Sequence, residues 1–184
     1  MTKALICIDF INEIVGDNGK LAQKGYLDFV RRHNTLEKVA ALQEEFRREG
    51  SPVVHVHLGF KSDYSDHPAT SPLLGGARAG GILQLGSESA AIHSAVAPQA
   101  EDWILVKKRI SAFFETRLDE VLRKLEVSEV TIVGVATDLA VQSAARDAHD
   151  RDYAVIVRQE GCAAATDEDH VTALANMSKF ARVM

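Results

Sequence analysis

The chain has 184 residues, 46% of them hydrophobic, and a formal net charge of -5. That length buries a full core without disulfide or metal staples and fits one domain over residues 1–184. The acidic balance lacks the basic face of a nucleic-acid binder, and no apolar stretch approaches the roughly 18 residues of a membrane span, so the expected partner is a small molecule.

Along the chain, apolar runs bounded by turn signals alternate with longer stretches of helical period, which predicts a parallel sheet covered on both faces. Strands are expected at Ala4 to Asp9, Val53 to Leu58, Trp103 to Lys107, Val130 to Val135 and Ala154 to Arg158, with a further one at Ala181 to Met184. Their continuous apolarity suits strands buried on both sides. Between the first two, Leu36, Val39, Ala40, Leu42 and Phe46 share one face of a helix from Asn34 to Glu49, which Gly50-Ser51-Pro52 stops. Gly59 to Ser87 is long and irregular, the kind of segment that serves as a lid or a subunit contact. Box-like caps predict two later helix starts, Thr116 with Asp119 and Thr166 with Asp169. The fold class is therefore α/β: a doubly wound, three-layer α/β/α arrangement on a mostly parallel sheet of five or six strands.

Cys7 and Cys162 lie in or beside apolar runs without a CxxC spacing, so they read as small buried hydrophobes with no disulfide between them. A leader with a charged start and a long apolar run is missing, and a cytoplasmic protein is expected.

Chemistry is expected at the carboxyl ends of the strands, where open parallel sheets form their ligand crevice. Three features fall there: Asp9 after the first strand, Lys107 at the end of the third, and the turn Ala136 to Ala140 after the fourth. Singly, Asp9 has a bland alternative as a cap or turn former and Lys107-Lys108-Arg109 reads as a solvated rim; their convergence favours a site. Phe10, Phe60, Tyr64, Phe113 and Phe114 are candidates for its apolar walls, and Arg109 or Arg78 for gripping a substrate carboxylate. His55 and His57 share a strand face and with Asp63, Asp66 or His67 have the makings of a zinc site. The preferred reading is a packed or substrate-facing His57 and no metal.

Three motifs carry a resemblance to a known family. The first is Leu5-Ile6-Cys7-Ile8-Asp9-Phe10-Ile11-Asn12, the second Lys107-Lys108-Arg109-Ile110-Ser111-Ala112-Phe113, and the third Gly134-Val135-Ala136-Thr137-Asp138-Leu139-Ala140 leading to Ala145-Arg146-Asp147-Ala148. Together the chain resembles the cysteine hydrolases of the isochorismatase-like superfamily, with Ile11 where a glutamine is common and Ala140 where the nucleophilic cysteine stands. The resemblance implies a triad of Asp9, Lys107 and residue 140, and an oxyanion hole from the backbone N–H groups of Ala136 and Ala140. It further implies a non-proline cis peptide at Val135-Ala136 and a homo-oligomer, dimeric or tetrameric; Phe10, His57, Phe60, Phe113 and Thr137 are the expected substrate contacts, and no cofactor is expected. The stretch around His55 and His57 does not reproduce the Asp-x-His metal pattern of the related nicotinamidases, which weakens nicotinamide as a substrate.

A methyl group neither attacks nor ionises, so Ala140 blocks the covalent route in this chain. Ser143 lies three residues beyond, too far along the helix to replace a thiol at 140. Three readings stay open: an amidohydrolase scaffold for a small amide, ureide or carbamoyl compound, silent or acting as a trap without its thiol; a thiol-independent vinyl ether hydrolase with Asp9 as general acid; and a non-catalytic relative that binds a ligand.

Overall fold

Six strands follow one another through the computed structural model, which describes residues 2–184: β1 (Thr2–Ile8), β2 (Val53–Leu58), β3 (Trp103–Lys107), β4 (Val127–Val135), β5 (Ala154–Ala163) and β6 (Arg182–Val183). They form one sheet in the order β3-β2-β1-β4-β5-β6, and every neighbouring pair is parallel. The helices are α1 (Asn12–Val15), α2 (Tyr26–His33), α3 (Thr35–Arg48), α4 (Ala77–Gly80), α5 (Leu118–Lys124), α6 (Gln142–His149) and α7 (Asp167–Met177). A parallel sheet needs cover on both faces, and the alternation of β1 shows how it is supplied. Leu5 and Cys7 pack with Ile14, Phe29, Val39 and Phe46 from α1, α2 and α3, whereas Ala4, Ile6 and Ile8 pack with Leu118, Ala144, Ala148 and Met177 from α5, α6 and α7. The result is the expected three-layer α/β/α fold.

The differences from the sequence reading have local causes. β5 runs past Arg158 to Ala163 because its pairing with β4 jumps: Val157 faces Ile132, and Cys162 is the next residue in register, facing Gly134. The polar run Arg158-Gln159-Glu160 lies in that irregular stretch and hides the strand's continuation. Thr166 caps α7 by accepting from Asp169 N at 3.1 Å, but α5 starts at Leu118, one residue later than a Thr116 cap would set it. The Thr116 hydroxyl instead donates to Ala112 O at 2.6 Å and accepts from Leu118 N at 3.2 Å. Helix α2 is bracketed by two left-handed residues, Gly25 with φ 107° and Asn34 with φ 51°, so the chain breaks between α2 and α3 where periodicity shows one helix only. Among the described residues, no helix is long and apolar enough to cross a membrane.

Candidate active site

Strands β1 and β4 are neighbours in space, and from them the chain order runs outward in opposite directions. Such a topological switch point opens a crevice at the carboxyl ends of the strands. Gly134 is required there, since a Cβ at this position would lie 2.7 Å from Ile8 O and 2.8 Å from Ile8 Cβ. Directly after β1, Asp9 adopts a left-handed backbone with φ 58°, which ends the strand.

The Asp9 carboxylate is buried and held from two sides. Its Oδ1 accepts from Leu58 N at 2.7 Å, and its Oδ2 lies 2.7 Å from Lys107 Nζ. Lys107, at the end of β3, is only 1% exposed, so it is as thoroughly removed from water as its partner. Its ammonium also donates to Arg109 O at 3.1 Å and Ile110 O at 2.9 Å, which gives each of its three protons an acceptor. Burial pushes the Asp9 carboxyl up from the usual carboxylate range, while the Lys107 charge and hydrogen bond and the Leu58 N–H oppose that rise. Beside the pair sits the partly buried His57 imidazole, which burial holds below its ordinary value and whose Nδ1 has no hydrogen-bond partner among the described residues.

On the other side of the crevice, β4 ends in a cis peptide between Val135 and Ala136. A single π-helical turn, Thr137–Val141, follows, with Val141 N donating to Ala136 O at 3.1 Å, and α6 continues from Gln142. The turn is anchored from behind: Thr137 is fully buried, and its Oγ1 lies 2.8 Å from Nδ1 of His170 on α7. Asp9, Lys107, Ala136 and Ala140 all face one cavity of about 320 Å³. Its remaining wall is largely apolar, with Ile14, Leu58, Leu74, Ile82, Leu83 and Leu139 prominent.

The segment Gly59 to Ser87 supplies much of this cover through Pro72 to Leu74, Gly76, Ala77, Ile82 and Leu83. Within it, Phe60 N donates to Leu83 O at 2.7 Å and the Tyr64 hydroxyl to Ile82 O at 2.9 Å, and Asp66 ties it to Lys108 at 3.0 Å. The proposed aromatic walls are placed elsewhere. Phe10 is packed in the core under α1 to α3, Phe60 is buried beside Tyr64 and His67 inside the segment Gly59 to Ser87, and Phe113 packs against Tyr153 on the opposite face of the sheet. Neither they nor His57 nor Thr137 line the cavity. Aromatic identity marks a good core residue as readily as a pocket wall, which is why sequence alone misdirects here. Leu21, Lys24 and Tyr26 line the cavity instead, from an irregular stretch and the start of α2 that carry no periodic signal.

His55 is buried, its Nε2 3.5 Å from the Asp102 carboxylate that pairs with Arg47 and without a hydrogen bond of its own among the described residues. Asp66 is engaged by Lys108, and among the described residues no three His, Cys, Asp or Glu side chains gather in a metal-binding cluster. Both thiols are buried, and burial pushes each up to about 12, so neither Cys7 nor Cys162 supplies a thiolate. The cavity therefore holds a buried acid–base pair and a strand-to-helix turn, facing the methyl group of Ala140.

The parallel sheet with helices on both faces defines an α/β protein, and comparison with known proteins gives the family. The Isochorismatase domain profile matches residues 3–184, and the chain belongs to that family. It is similar to the isochorismatase family protein YaaI of Bacillus subtilis, 29% identical over 95% of this chain and 88% of YaaI. Among solved structures, an isochorismatase family protein from Desulfovibrio vulgaris superposes with a TM-score of 0.88 at 27% identity, covering 99% of this chain and 93% of the other. N-carbamoylsarcosine amidase from Thermoplasma acidophilum superposes with a TM-score of 0.76 at 29% identity, covering 100% and 95%.

Proposed function

We propose that this chain is an amidohydrolase scaffold of the cysteine type, built to cleave a C–N bond of a small amide, ureide or carbamoyl compound, with Ala140 standing at the nucleophile position. The observation that carries the reading is the 2.7 Å ion pair of Asp9 and Lys107 facing the same cavity as Ala136 and Ala140. The similarity to N-carbamoylsarcosine amidase supports the C–N bond as the target.

With a thiol at position 140, Asp9 takes its proton and the Lys107 charge favours the thiolate. The thiolate attacks the carbonyl carbon, and the N–H groups of Ala136 and residue 140 receive the oxyanion. Asp9 then returns the proton to the leaving nitrogen as the C–N bond breaks, and water hydrolyses the thioester to free the thiol. With alanine at 140 the first bond cannot form, and the chain binds its substrate without turning it over.

The second reading, a vinyl ether hydrolase with Asp9 as general acid, has one observation in its favour, the rise of the Asp9 carboxyl on burial. It is weakened by Lys107 and Leu58 N, which both stabilise the ionised form. The deciding experiment compares ammonia release from small amides and ureides by this chain and by Ala140→Cys. Turnover in the variant alone supports the missing-thiol reading; none in either rejects it.

A further inference from the structure

We infer that the cavity selects an anionic substrate, one whose amide or ureide carries a carboxylate, and that Arg109 is the residue that selects it, with Lys24 in support. This rests on the cavity being the site of C–N cleavage proposed above. Four charged side chains line the cavity: Asp9, Lys24, Lys107 and Arg109. Asp9 and Lys107 neutralise each other, which leaves two positive charges without a counterion.

Arg109 is partly buried, and its Nη1 donates to Lys108 O at 2.8 Å and to Asp66 O at 3.3 Å. Those two bonds fix the guanidinium plane. The other edge, Nε with Nη2, has no acceptor among the described residues, and no carboxylate lies within ion-pair distance of the group. The nearby Asp66 carboxylate is taken by Lys108. Lys24, exposed at the end of the short 3-10 helix Ala22–Lys24, also has no ion pair among the described residues. Tyr26 next to it senses the carboxylates of Asp138 and Asp169, but neither of these lines the cavity.

An anchored guanidinium with one open edge is complementary to a carboxylate, which accepts two parallel hydrogen bonds from it. A neutral ligand in the same space partly desolvates the cations and leaves them unpaired, which costs free energy that an anion recovers. Arg78, the other arginine of the lid segment's neighbourhood, lies exposed on α4 outside the lining, so the structure separates the two.

The test uses the chain as it stands and isothermal titration calorimetry with two matched pairs: N-carbamoylglycine and N-carbamoyl-β-alanine, each against its neutral carboxamide. The acids are expected to bind at least about tenfold more tightly than the amides, a difference of about 1.4 kcal/mol. Arg109→Gln should erase that preference by weakening the acids toward the affinity of their amides, Arg109→Lys should restore only part of it, and Lys24→Gln should reduce it several-fold. Arg78→Gln should leave it intact. Amides binding as well as acids, a preference that survives Arg109→Gln, or no binding by either acid overturns the inference. Turnover by Ala140→Cys, measured on the same pairs, separates the two readings. Acid binding without turnover rejects C–N cleavage and keeps the anion site, while turnover indifferent to charge does the opposite.

Discussion

Ser111, four residues after the buried lysine, donates its hydroxyl to the carboxylate of Asp147 on α6. The same Ser111 oxygen accepts from Phe113 N at 3.1 Å, and Asp147 is held in turn by Arg151 at 2.8 Å. Two motifs far apart in sequence are thereby joined, and between Lys107 and Ser111 lie Arg109 O and Ile110 O, the carbonyls that hold Lys107. Ser111→Ala removes a hydrogen bond to a charged group, and Asp147→Asn weakens it. Each is expected to lower unfolding free energy in urea by about 1–3 kcal/mol, with the double variant costing less than the sum of the singles. Additive losses would show that the two residues act independently.

The Asp9–Lys107 pair sets a second expectation. Lys107→Met leaves a buried carboxylate without its counterion and should destabilise the fold by about 3–5 kcal/mol. Asp9→Asn combined with Lys107→Met removes both charges and should regain a substantial part of that loss. Denaturant midpoints of the single and double variants measure the difference. A double variant no more stable than Lys107→Met alone would mean that the pair is not the dominant electrostatic feature of the crevice.

Much of this site was legible because the fold converts sequence order into position. Apolar runs ending in Asp9, Lys107 and Val135 become parallel strands, and parallel strands bring their carboxyl ends to one edge. What sequence could not show depends on side-chain direction and on irregular backbone. Phe60 and Phe113 are aromatic and adjacent to the right segments, yet each turns into a separate packed cluster. Lys24 and Tyr26 enter the cavity because Gly25, at φ 107°, redirects the chain between them, and no periodicity records that turn.

The histidines predict how stability responds to pH. Burial lowers His55, His57 and His170 below 6.5, although Asp102 beside the first, Asp9 beside the second and Asp167 beside the third pull the other way. Arg47 and His57 add to the lowering of His55, Lys107 and Lys108 to that of His57, and His33 to that of His170. In the folded chain each binds a proton less readily than when unfolded. Their contribution is therefore fully present above the unfolded value and is lost as pH falls through it toward the folded values. The urea midpoint should drop between about pH 7.5 and about pH 5.5. Replacing His57 and His170 by Gln should flatten that slope, and a slope unchanged by both replacements would assign it to other groups.

The lid segment supplies the final expectation. Lys108 Nζ donates to Gly59 O at 2.5 Å and pairs with Asp66 at 3.0 Å, so one side chain pins both the start of the segment and its first turn to the end of β3. The contact is partly exposed, with 26% and 19% of the two side chains accessible, so its worth is that of a modest ion pair, about 1 kcal/mol. That is small against global stability but large against the local opening of a loop. Lys108→Gln should leave the urea midpoint nearly unchanged and raise amide hydrogen exchange in residues 60–85 by about fivefold. Because Pro72 to Leu74, Ile82 and Leu83 close the cavity, the same change in the Ala140→Cys background should raise KM more than it lowers kcat. Unaltered exchange in that segment would show that Phe60, Leu83 and the Tyr64 hydroxyl hold the lid without Lys108.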